Sequence, residues 1–405
     1  MILDFPGGVR PLSRTKLGKS NIEYISACSA VCIKADEGAK TVAAIGSRVL
    51  RGSLIGESGG TPVYASVAGV FRGIMELEDN RYFVVMNSGE DGEEAVYSPE
   101  SRAITELNCA DICESARRLS VVETRSGAPL WKMLENANGK FRRLVIDCTE
   151  TDASGAINYR LCIEQAKALV GGAKLLLQAT GALKCVFAAE HYRNAALESI
   201  LKYANDEKLF AIAQLDEKYP YGDRAIMEAL YLTTLDKNET AFDRGIVIVS
   251  PETAVALYNS MAQGMPMLDR YITVCGDEIA QGKNLCVPRG ITLHDISVIC
   301  GGIKKGGRLI ENSLLSGKLA SGALSDCTRT LIAAKKQTKA RTECISCGKC
   351  AYACPIRLMP FNVLAGDIDD LRDNCIYCGA CEFICPSGIP LLKLIKKRCN
   401  AEAEQ

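Results

Sequence analysis

Two copies of one cysteine pattern stand near the end of the sequence. The pattern is C-x2-C-x2-C-x3-C-P, and its cysteines are Cys344, Cys347, Cys350 and Cys354 in the first copy and Cys375, Cys378, Cys381 and Cys385 in the second. This spacing is typical of ferredoxins that hold cubane iron–sulfur clusters. Zinc ribbons, the alternative, pair C-x2-C with another C-x2-C and leave the third cysteine and the proline unused. The spacing therefore predicts two [4Fe-4S] clusters.

The fourth cysteine of each copy is expected to bind the cluster of the other copy, as in two-cluster ferredoxins. The predicted ligand sets are Cys344, Cys347, Cys350 and Cys385, called set one here, and Cys375, Cys378, Cys381 and Cys354, called set two. Gly348 and Gly379 stand inside the loops, where glycine tolerates the positive dihedrals that wrapping a cubane demands. Two interlocked clusters lie close together, which suits the passage of electrons rather than their storage.

Composition narrows the class of protein. The 405 residues are enough for two to four domains. Lysine plus arginine and aspartate plus glutamate each total 48, and the resulting lack of basic excess argues against a nucleic-acid partner. The sequence shows no signal-peptide pattern, and its apolar runs are shorter than the roughly 18 residues of a membrane span. Twenty cysteines and oxygen-sensitive clusters predict a cytoplasmic protein.

The remaining cysteines are scattered, mostly within apolar segments, as free buried thiols usually are. They are Cys28, Cys32, Cys109, Cys113, Cys148, Cys162, Cys185, Cys275, Cys286, Cys300, Cys327 and Cys399. Cys28 with Cys32 and Cys109 with Cys113 have spacings that a metal site can use, but neither pair alone completes a site.

The pattern along the chain predicts an α/β multidomain protein. Residues 1–105 form an N-terminal part that opens with an irregular segment of about 35 residues. Short β-branched runs broken by glycines, at about 35–80, then predict a barrel-sandwich hybrid. It resembles lipoyl and biotinyl carriers but has no lysine on the hairpin around Val67, which argues against a swinging-arm role. Residues 106–262 alternate strand-like and helix-like runs and predict a doubly wound, Rossmann-like α/β domain.

The second half of the chain is predicted to hold three further parts. Residues 263–310 predict a β-grasp domain, and residues 311–340 predict a polar helical linker with a basic end at Lys335, Lys336 and Lys339. Residues 341–405 then predict an α-helical ferredoxin domain that carries both cluster motifs.

Several short motifs give this order of parts a family likeness. They are Gly7-Gly8-Val9, Ala65-Ser66-Val67-Ala68-Gly69, Lys218-Tyr219-Pro220-Tyr221-Gly222 and Arg270-Tyr271-Ile272-Thr273-Val274-Cys275-Gly276. Together with the cluster motifs they make nearly the whole chain resemble the RnfC-like family, the C subunits of Rnf electron transport complexes. That family includes the proline-reductase-associated electron carrier. The resemblance implies that the β-grasp domain is of the soluble-ligand-binding (SLBB-like) type.

The resemblance also implies a flavin and a nucleotide. The α/β domain is similar to the flavin-bearing subunit of respiratory complex I, so FMN and NADH are implied cofactors, with Gly127, Glu150, Asp152 and Lys218 as the matching binding residues. The family loop is of the type Gly-Gly-Ala-Gly-Phe-Pro, whereas this chain has Thr124-Arg125-Ser126-Gly127-Ala128-Pro129. Either Arg125 provides charge for a phosphate in a rebuilt pocket, or the flavin site is lost.

Three functions remain open on the sequence alone. The first is an electron-transfer subunit of a membrane-associated, ion-translocating Rnf-like oxidoreductase, which passes electrons originally from NADH through two clusters to other redox subunits, some of them membrane-embedded. It would lie at the cytoplasmic face of the membrane. The second is a soluble electron donor to a specific reductase such as proline reductase, or a relay without NADH and FMN. The third is an iron–sulfur redox sensor.

Overall fold

The computed structural model describes residues 2–10, 15–77, 80–89, 94–98, 102–137, 141–231, 241–335 and 342–403. Within these ranges, no helix is long and apolar enough to cross a bilayer.

In its described residues, the N-terminal part contains nine short strands, of which β3 to β9 pair antiparallel with one another. The strands are β1 Ile2–Leu3, β2 Ile22–Tyr24, β3 Ala30–Lys34, β4 Lys40–Thr41, β5 Arg48–Val49, β6 Leu54–Ser58, β7 Thr61–Tyr64, β8 Gly69–Leu77 and β9 Asn80–Asn87. One sheet has the order β3-β9-β8-β5 and another has the order β4-β6-β7. Both enclose a core around Val31, Ile55, Phe71 and Phe83, so the predicted short strands are present. They extend beyond the expected range, to Asn87.

The sequence predicted an irregular opening segment, but this segment contains three strands among its described residues. It supplies β1 to a parallel sheet with β14 (Phe210–Leu215), β2 to a sheet with β17 (Lys283–Pro288), and β3 to the N-terminal sheet. The prediction was wrong for β1 and β2 because strands of two or three residues are too short to show alternation, and it was wrong for β3 because this strand, Ala30–Lys34, is buried at four consecutive residues and does not alternate. This segment therefore joins three sheets.

A parallel sheet forms the centre of the α/β domain. Its elements are α1 Cys109–Arg118, β10 Val122–Glu123, β11 Ala128–Pro129, α2 Leu130–Ala137, β12 Arg143–Asp147, α3 Ile157–Glu164, α4 Ala166–Thr180, β13 Lys184–Glu190, α5 Asn194–Leu201, β14 Phe210–Leu215, α6 Arg224–Tyr231, β15 Ile246–Val249 and α7 Pro251–Gln263. The sheet order is β1-β14-β13-β12-β15, with every pair parallel. Leu144 and Ile146 face one core and Val145 faces another, so both faces are buried, as in doubly wound folds.

A second sheet follows, and it contains both parallel and antiparallel pairs. Its elements are β16 Asp269–Cys275, β17 Lys283–Pro288, α8 Leu293–Ile299, β18 Arg308–Glu311 and β19 Thr330–Ala334, and the sheet order is β18-β19-β16-β17-β2. The predicted helical linker at 311–340 is therefore wrong, because β19 lies within it and pairs with β16 and β18. An apolar run of this length does not by itself distinguish a buried strand from a helix. Lys336 and Lys339 of the basic run lie outside the described residues.

The C-terminal part is helical, as predicted. Its helices are α9 Lys349–Tyr352, α10 Asp369–Asn374, α11 Ala380–Ile384 and α12 Leu391–Ala403, with a 3₁₀ turn at Pro360–Leu364. Helix α12 packs Leu391 and Ile395 against Val363 and Leu371, and this small core closes the domain over the cysteine loops.

Candidate metal centre

The structure gathers the eight motif cysteines around two cavities. A cavity of about 150 Å³ is lined by the whole of set one, Cys344, Cys347, Cys350 and Cys385. A smaller one is lined by the whole of set two, Cys375, Cys378, Cys381 and Cys354. Helix α9 contributes Cys350 to the first cavity and is followed by Cys354 of the second. Helix α11 contributes Cys381 to the second cavity and is followed by Cys385 of the first.

The two cysteine loops repeat one backbone geometry. Ser346 and Tyr377, each just before the second cysteine, have φ of 52° and 53°. Gly348 and Gly379, each just after it, have φ of 70° and 79° and immediately precede α9 and α11. Positive φ at consecutive corners turns the chain around a central point, so each loop directs its thiols inward.

The residues around each cavity suit a [4Fe-4S] cluster. Four thiols meet apolar walls, which include Phe361 and Leu364 beside set one. Backbone amides reach the sulfurs of set two, from Leu358 N to Cys354 Sγ at 3.3 Å and from Tyr377 N to Cys375 Sγ at 3.4 Å. Four cysteine sulfurs with amide hydrogen bonds form the donor set that such clusters use.

The two sets differ in their contact with solvent. Cys344 and Cys347 of set one are exposed, whereas Cys354, Cys378 and Cys381 of set two are buried. Burial raises the pKa of Cys378 to about 12. Because metal ligation requires thiolates, cluster insertion at set two has to release protons.

Three segments of the body cover set two. Tyr219 Oη donates a hydrogen bond of 2.6 Å to the main-chain oxygen of Cys378. Gly8 N donates one of 2.9 Å to the main-chain oxygen of Ala353, next to Cys354. The main-chain oxygen of Leu315 lies against Gly379, where an added Cβ would come within 2.6 Å of it. The motifs around Gly7 and Tyr219, quoted above for the resemblance, thus meet at the buried cysteines.

The flavin-binding candidates Gly127 and Lys218 make other contacts. Gly127 lies in the β10–β11 turn with φ of 75°, against Asp326 and Cys327. Lys218 Nζ forms an ion pair of 2.6 Å with Asp4 and donates to the main-chain oxygen of Phe5. Lys218 therefore holds the opening segment in place.

The acidic candidates are also engaged. Glu150 is buried and accepts hydrogen bonds from Tyr159 N at 3.0 Å and Arg193 Nη1 at 3.3 Å. Burial raises the pKa of Glu150. Asp152 accepts from Ser154 N and Oγ and from Leu314 N at 3.1 Å, so it caps a turn and ties two loops together.

Sequence reasoning missed two acidic residues beside the degenerate loop. Glu123 is buried and binds the backbone of the loop, and Asp147 at the end of β12 forms an ion pair with Arg125. An acidic residue two positions before Arg125 was the only signal in the sequence for this arrangement. Asp147 lies 22 positions away, and only the fold brings it there.

The cysteine pair Cys109 and Cys113 has backbone partners. Cys109 Sγ donates to the main-chain oxygen of Ala179 at 2.8 Å, and Cys113 Sγ donates to that of Trp131 at 3.5 Å. Burial raises the pKa of Cys28 and of Cys32, the other pair. These thiols behave as packed side chains.

Two family models match the chain. The model described as a 4Fe-4S dicluster domain matches residues 343–389, and the model described as the Nuo51 FMN-binding domain matches residues 120–259. The dicluster match agrees with the two cysteine-lined cavities and supports two [4Fe-4S] clusters.

Curated relatives cover most of the chain. The C subunit of the Na⁺-translocating ferredoxin:NAD⁺ oxidoreductase complex of Acetobacterium woodii is 25% identical over 337 residues, which span 78% of this chain and 76% of that protein. The C subunit of the proton-translocating complex of Clostridium ljungdahlii is 25% identical over 388 residues, 89% of this chain and 83% of that protein. The chain is similar to these C subunits over most of its length. Among solved structures, the NAD⁺-reducing [NiFe]-hydrogenase in the H2-reduced state aligns at 16% identity and a TM-score of 0.48, over 76% of this chain and 63% of that one.

Proposed function

We propose that this chain is an electron-transfer subunit of an ion-translocating, Rnf-like oxidoreductase and carries electrons through two [4Fe-4S] clusters to a partner redox subunit. The observation that supports it is the grouping of eight motif cysteines around two adjacent cavities. When bound, each cluster supplies a one-electron redox centre. The protein holds the centres, shields one of them and exposes the other.

The asymmetry of the two sets suggests an order. Set two is covered by the body of the protein, at Gly8 and Tyr219, whereas Cys344 and Cys347 of set one are exposed beside Ile345. In the proposal, set two is the inner centre and set one is the centre at which a partner protein exchanges electrons. Apolar side chains at that edge, such as Ile345, exclude water when a partner binds.

The rest of the fold serves as a frame in this proposal. The antiparallel sheets of residues 30–87 form the barrel-sandwich hybrid, and β16–β19 with α8 form the SLBB-like domain. The partners are other redox subunits of the complex, and the chain lies at the cytoplasmic face of the membrane. The ligand sets remain those that the cysteine spacing predicts.

The decisive experiment counts iron and spectroscopic centres in matched variants. The wild-type protein, prepared without oxygen, is expected to hold about eight iron atoms per chain. Cys347→Ala is expected to lose the exposed centre, and Cys378→Ala the inner one, each leaving about four. Cys185→Ala, a buried cysteine outside both sets, is the control and should keep all eight.

Magnetic resonance of the reduced protein gives the second readout. Two neighbouring reduced clusters produce a spin-coupled spectrum in the wild type, and each cysteine variant should show one isolated cluster. A wild-type protein with about half the iron or less and no cubane signal would overturn the proposal.

A further inference from the structure

We infer that the crevice in the region matched by the FMN-binding family model is closed by this chain's own Glu123 and Arg125. The protein then takes up neither FMN nor NADH there and receives its electrons from another protein. The inference rests on the proposed electron-transfer function and specifies the donor as another redox protein. It concerns the α/β domain alone and is independent of which cysteines hold each cluster.

The crevice lies where doubly wound folds bind their ligands. Such ligands sit beyond the carboxyl ends of the parallel strands, close to a helix N-terminus. Here that edge is formed by Asp147 at the end of β12, by the turn Thr124–Gly127 between β10 and β11, and by Ser250, which caps α7. The match to the FMN-binding family model, residues 120–259, includes all three.

A carboxylate already occupies the anion-binding amides. Glu123 Oε1 accepts from Arg125 N at 3.1 Å and from Ser250 N at 3.3 Å. Glu123 Oε2 accepts from Ser126 N and from Ser126 Oγ, both at 2.9 Å. Consecutive backbone amides and a helix N-terminus are the groups that bind a phosphate. Glu123 therefore takes the place of the phosphate of a flavin mononucleotide.

A guanidinium fills the space next to it. The side chain of Arg125 is 6% exposed and forms an ion pair with the fully buried Asp147. Its Nη2 lies 3.5 Å from the main-chain oxygen of Gly222. In the Gly-Gly-Ala-Gly-Phe-Pro loop that the resemblance implies, glycine stands at this point and leaves room for a ligand. Burial lowers the pKa of Arg125 to about 9, so the group remains a cation at neutral pH.

Two of the buried arginines around the crevice are paired with carboxylates of the chain itself. Arg193 pairs with Glu150 and Glu190, and Arg270 pairs with Glu252. Four buried polar atoms near the crevice lack hydrogen-bond partners in the described part of the chain, namely Arg329 Nε and Nη1, Glu150 Oε2 and Thr330 Oγ1. Glu123, Glu150 and Glu252 lie near enough to raise the pKa of that arginine, although burial lowers it more. Inserting a flavin phosphate would add negative charge beside these buried carboxylates.

The backbone at Gly155 and Gly222 also lies close to Glu150. An added Cβ at Gly155 would lie 3.0 Å from both Glu150 Oε2 and Thr330 Oγ1, and one at Gly222 would lie 2.4 Å from the main-chain oxygen of Glu150. Neither position leaves space for an aromatic ring between the loops. An isoalloxazine could enter only if Arg125 left its ion pair, which would uncover Asp147 as an unpaired buried charge.

The test uses the wild-type protein with both clusters, kept free of oxygen. Flavin released by acid and measured by fluorescence should be absent, and titrated FMN should keep its free fluorescence. NADH with added FMN should not bleach the cluster absorbance, whereas sodium dithionite should. Stoichiometric flavin in the purified protein, or bleaching by NADH and FMN, would overturn the inference.

Two further results separate the inference from the proposed function. If dithionite fails to bleach the clusters, the electron-transfer proposal fails, while the FMN titration still decides whether the crevice is closed. Glu123→Gly with Arg125→Gly removes both obstructing groups and should bind FMN at least about tenfold more tightly than the wild type, since one interaction of about 1.4 kcal/mol has that effect. The exposed Arg142→Gly is the control. Equal FMN binding by the wild type and the double variant would contradict the inference.

Discussion

Gly7 lies directly against the main-chain carbonyl group of Cys354. A Cβ at residue 7 would be 2.4 Å from that oxygen, and the φ of 64° at this position disfavours any other residue. Gly7→Ala should therefore push the opening segment away from set two. We expect the inner cluster to be lost, which lowers the iron content from about eight to about four atoms per chain.

Gly46→Ala provides the matched control for this substitution. Gly46 also has a positive φ, 85°, but nothing lies within 4 Å of its added Cβ. That variant should keep its full iron content despite the backbone strain. A full iron content in Gly7→Ala would contradict the prediction, because it would mean that the backbone around Cys354 can move away from the added Cβ and still hold the cluster.

Tyr219 is expected to raise the reduction potential of the inner cluster. Its hydroxyl directs the positive end of an O–H dipole at the main-chain oxygen of Cys378 and so favours the more negative, reduced cluster. Tyr219→Phe should lower the reduction potential of this cluster by tens of millivolts. A neutral hydrogen bond contributes about 1 kcal/mol, and about 59 mV corresponds to a tenfold change for one electron.

A redox titration followed by magnetic resonance resolves the two centres. Tyr221→Phe is the control, because its hydroxyl donates to the main-chain oxygen of Leu3 and not to a cysteine loop. Only the inner centre should shift in Tyr219→Phe, and neither should shift in Tyr221→Phe. Equal shifts of both centres would point to a general loosening of the domain.

Asp326 should make the fold sensitive to acid. Burial alone would raise the pKa of Asp326, but Arg289, at 2.5 Å, lowers it below its usual value. A carboxyl group whose pKa is lower in the folded state stabilises the fold above the unfolded pKa of about 3.9. This contribution is lost as the pH falls through the folded pKa. Asp326→Asn should cost about 3 kcal/mol at pH 7 and much less once the pH has fallen below the folded pKa of Asp326.

Denaturant unfolding followed through the single tryptophan, Trp131, measures this difference. The exposed Asp277→Asn is the control and should change the free energy of unfolding little at either pH. An equal loss for Asp326→Asn at both pH values would mean that the effect is steric rather than electrostatic.

The two clusters should also differ in their resistance to oxygen. Cys344 and Cys347 are exposed, whereas the inner set is covered by Tyr219 and the opening segment. On exposure to air, the signal of the outer cluster should decay first. Cys347→Ala, which retains only the inner cluster, should therefore lose its remaining iron more slowly than Cys378→Ala. The reverse order would contradict the assignment of the outer centre.

The cysteine loops could be predicted because their chemistry is local. Spacing alone grouped Cys350 with Cys385 and Cys381 with Cys354, and the structure brings the same residues together. The parallel strand at Arg143–Asp147 was likewise visible as a compact apolar run bounded by charge.

The rest depended on contacts between distant residues. The apolar run Thr330–Ala334 fits a strand or a helix equally well, and its pairing with β16 and β18 makes it a strand. The loop at Arg125 left two interpretations open because its partner Asp147 follows 22 residues later. Which residues surround a buried charge is decided by the fold.

The contact of Gly8 with Ala353 has a consequence during synthesis. The two residues leave the ribosome about 345 positions apart, whereas β1 and β2, on either side of Gly8, pair with strands that end at Leu215 and Pro288. At roughly 5 to 20 residues per second, this stretch waits about 20 to 70 seconds for its last partner. Val9 can pair with Tyr219 well before then, but the cover of the opening segment over set two is completed only when the cysteine loops have been made.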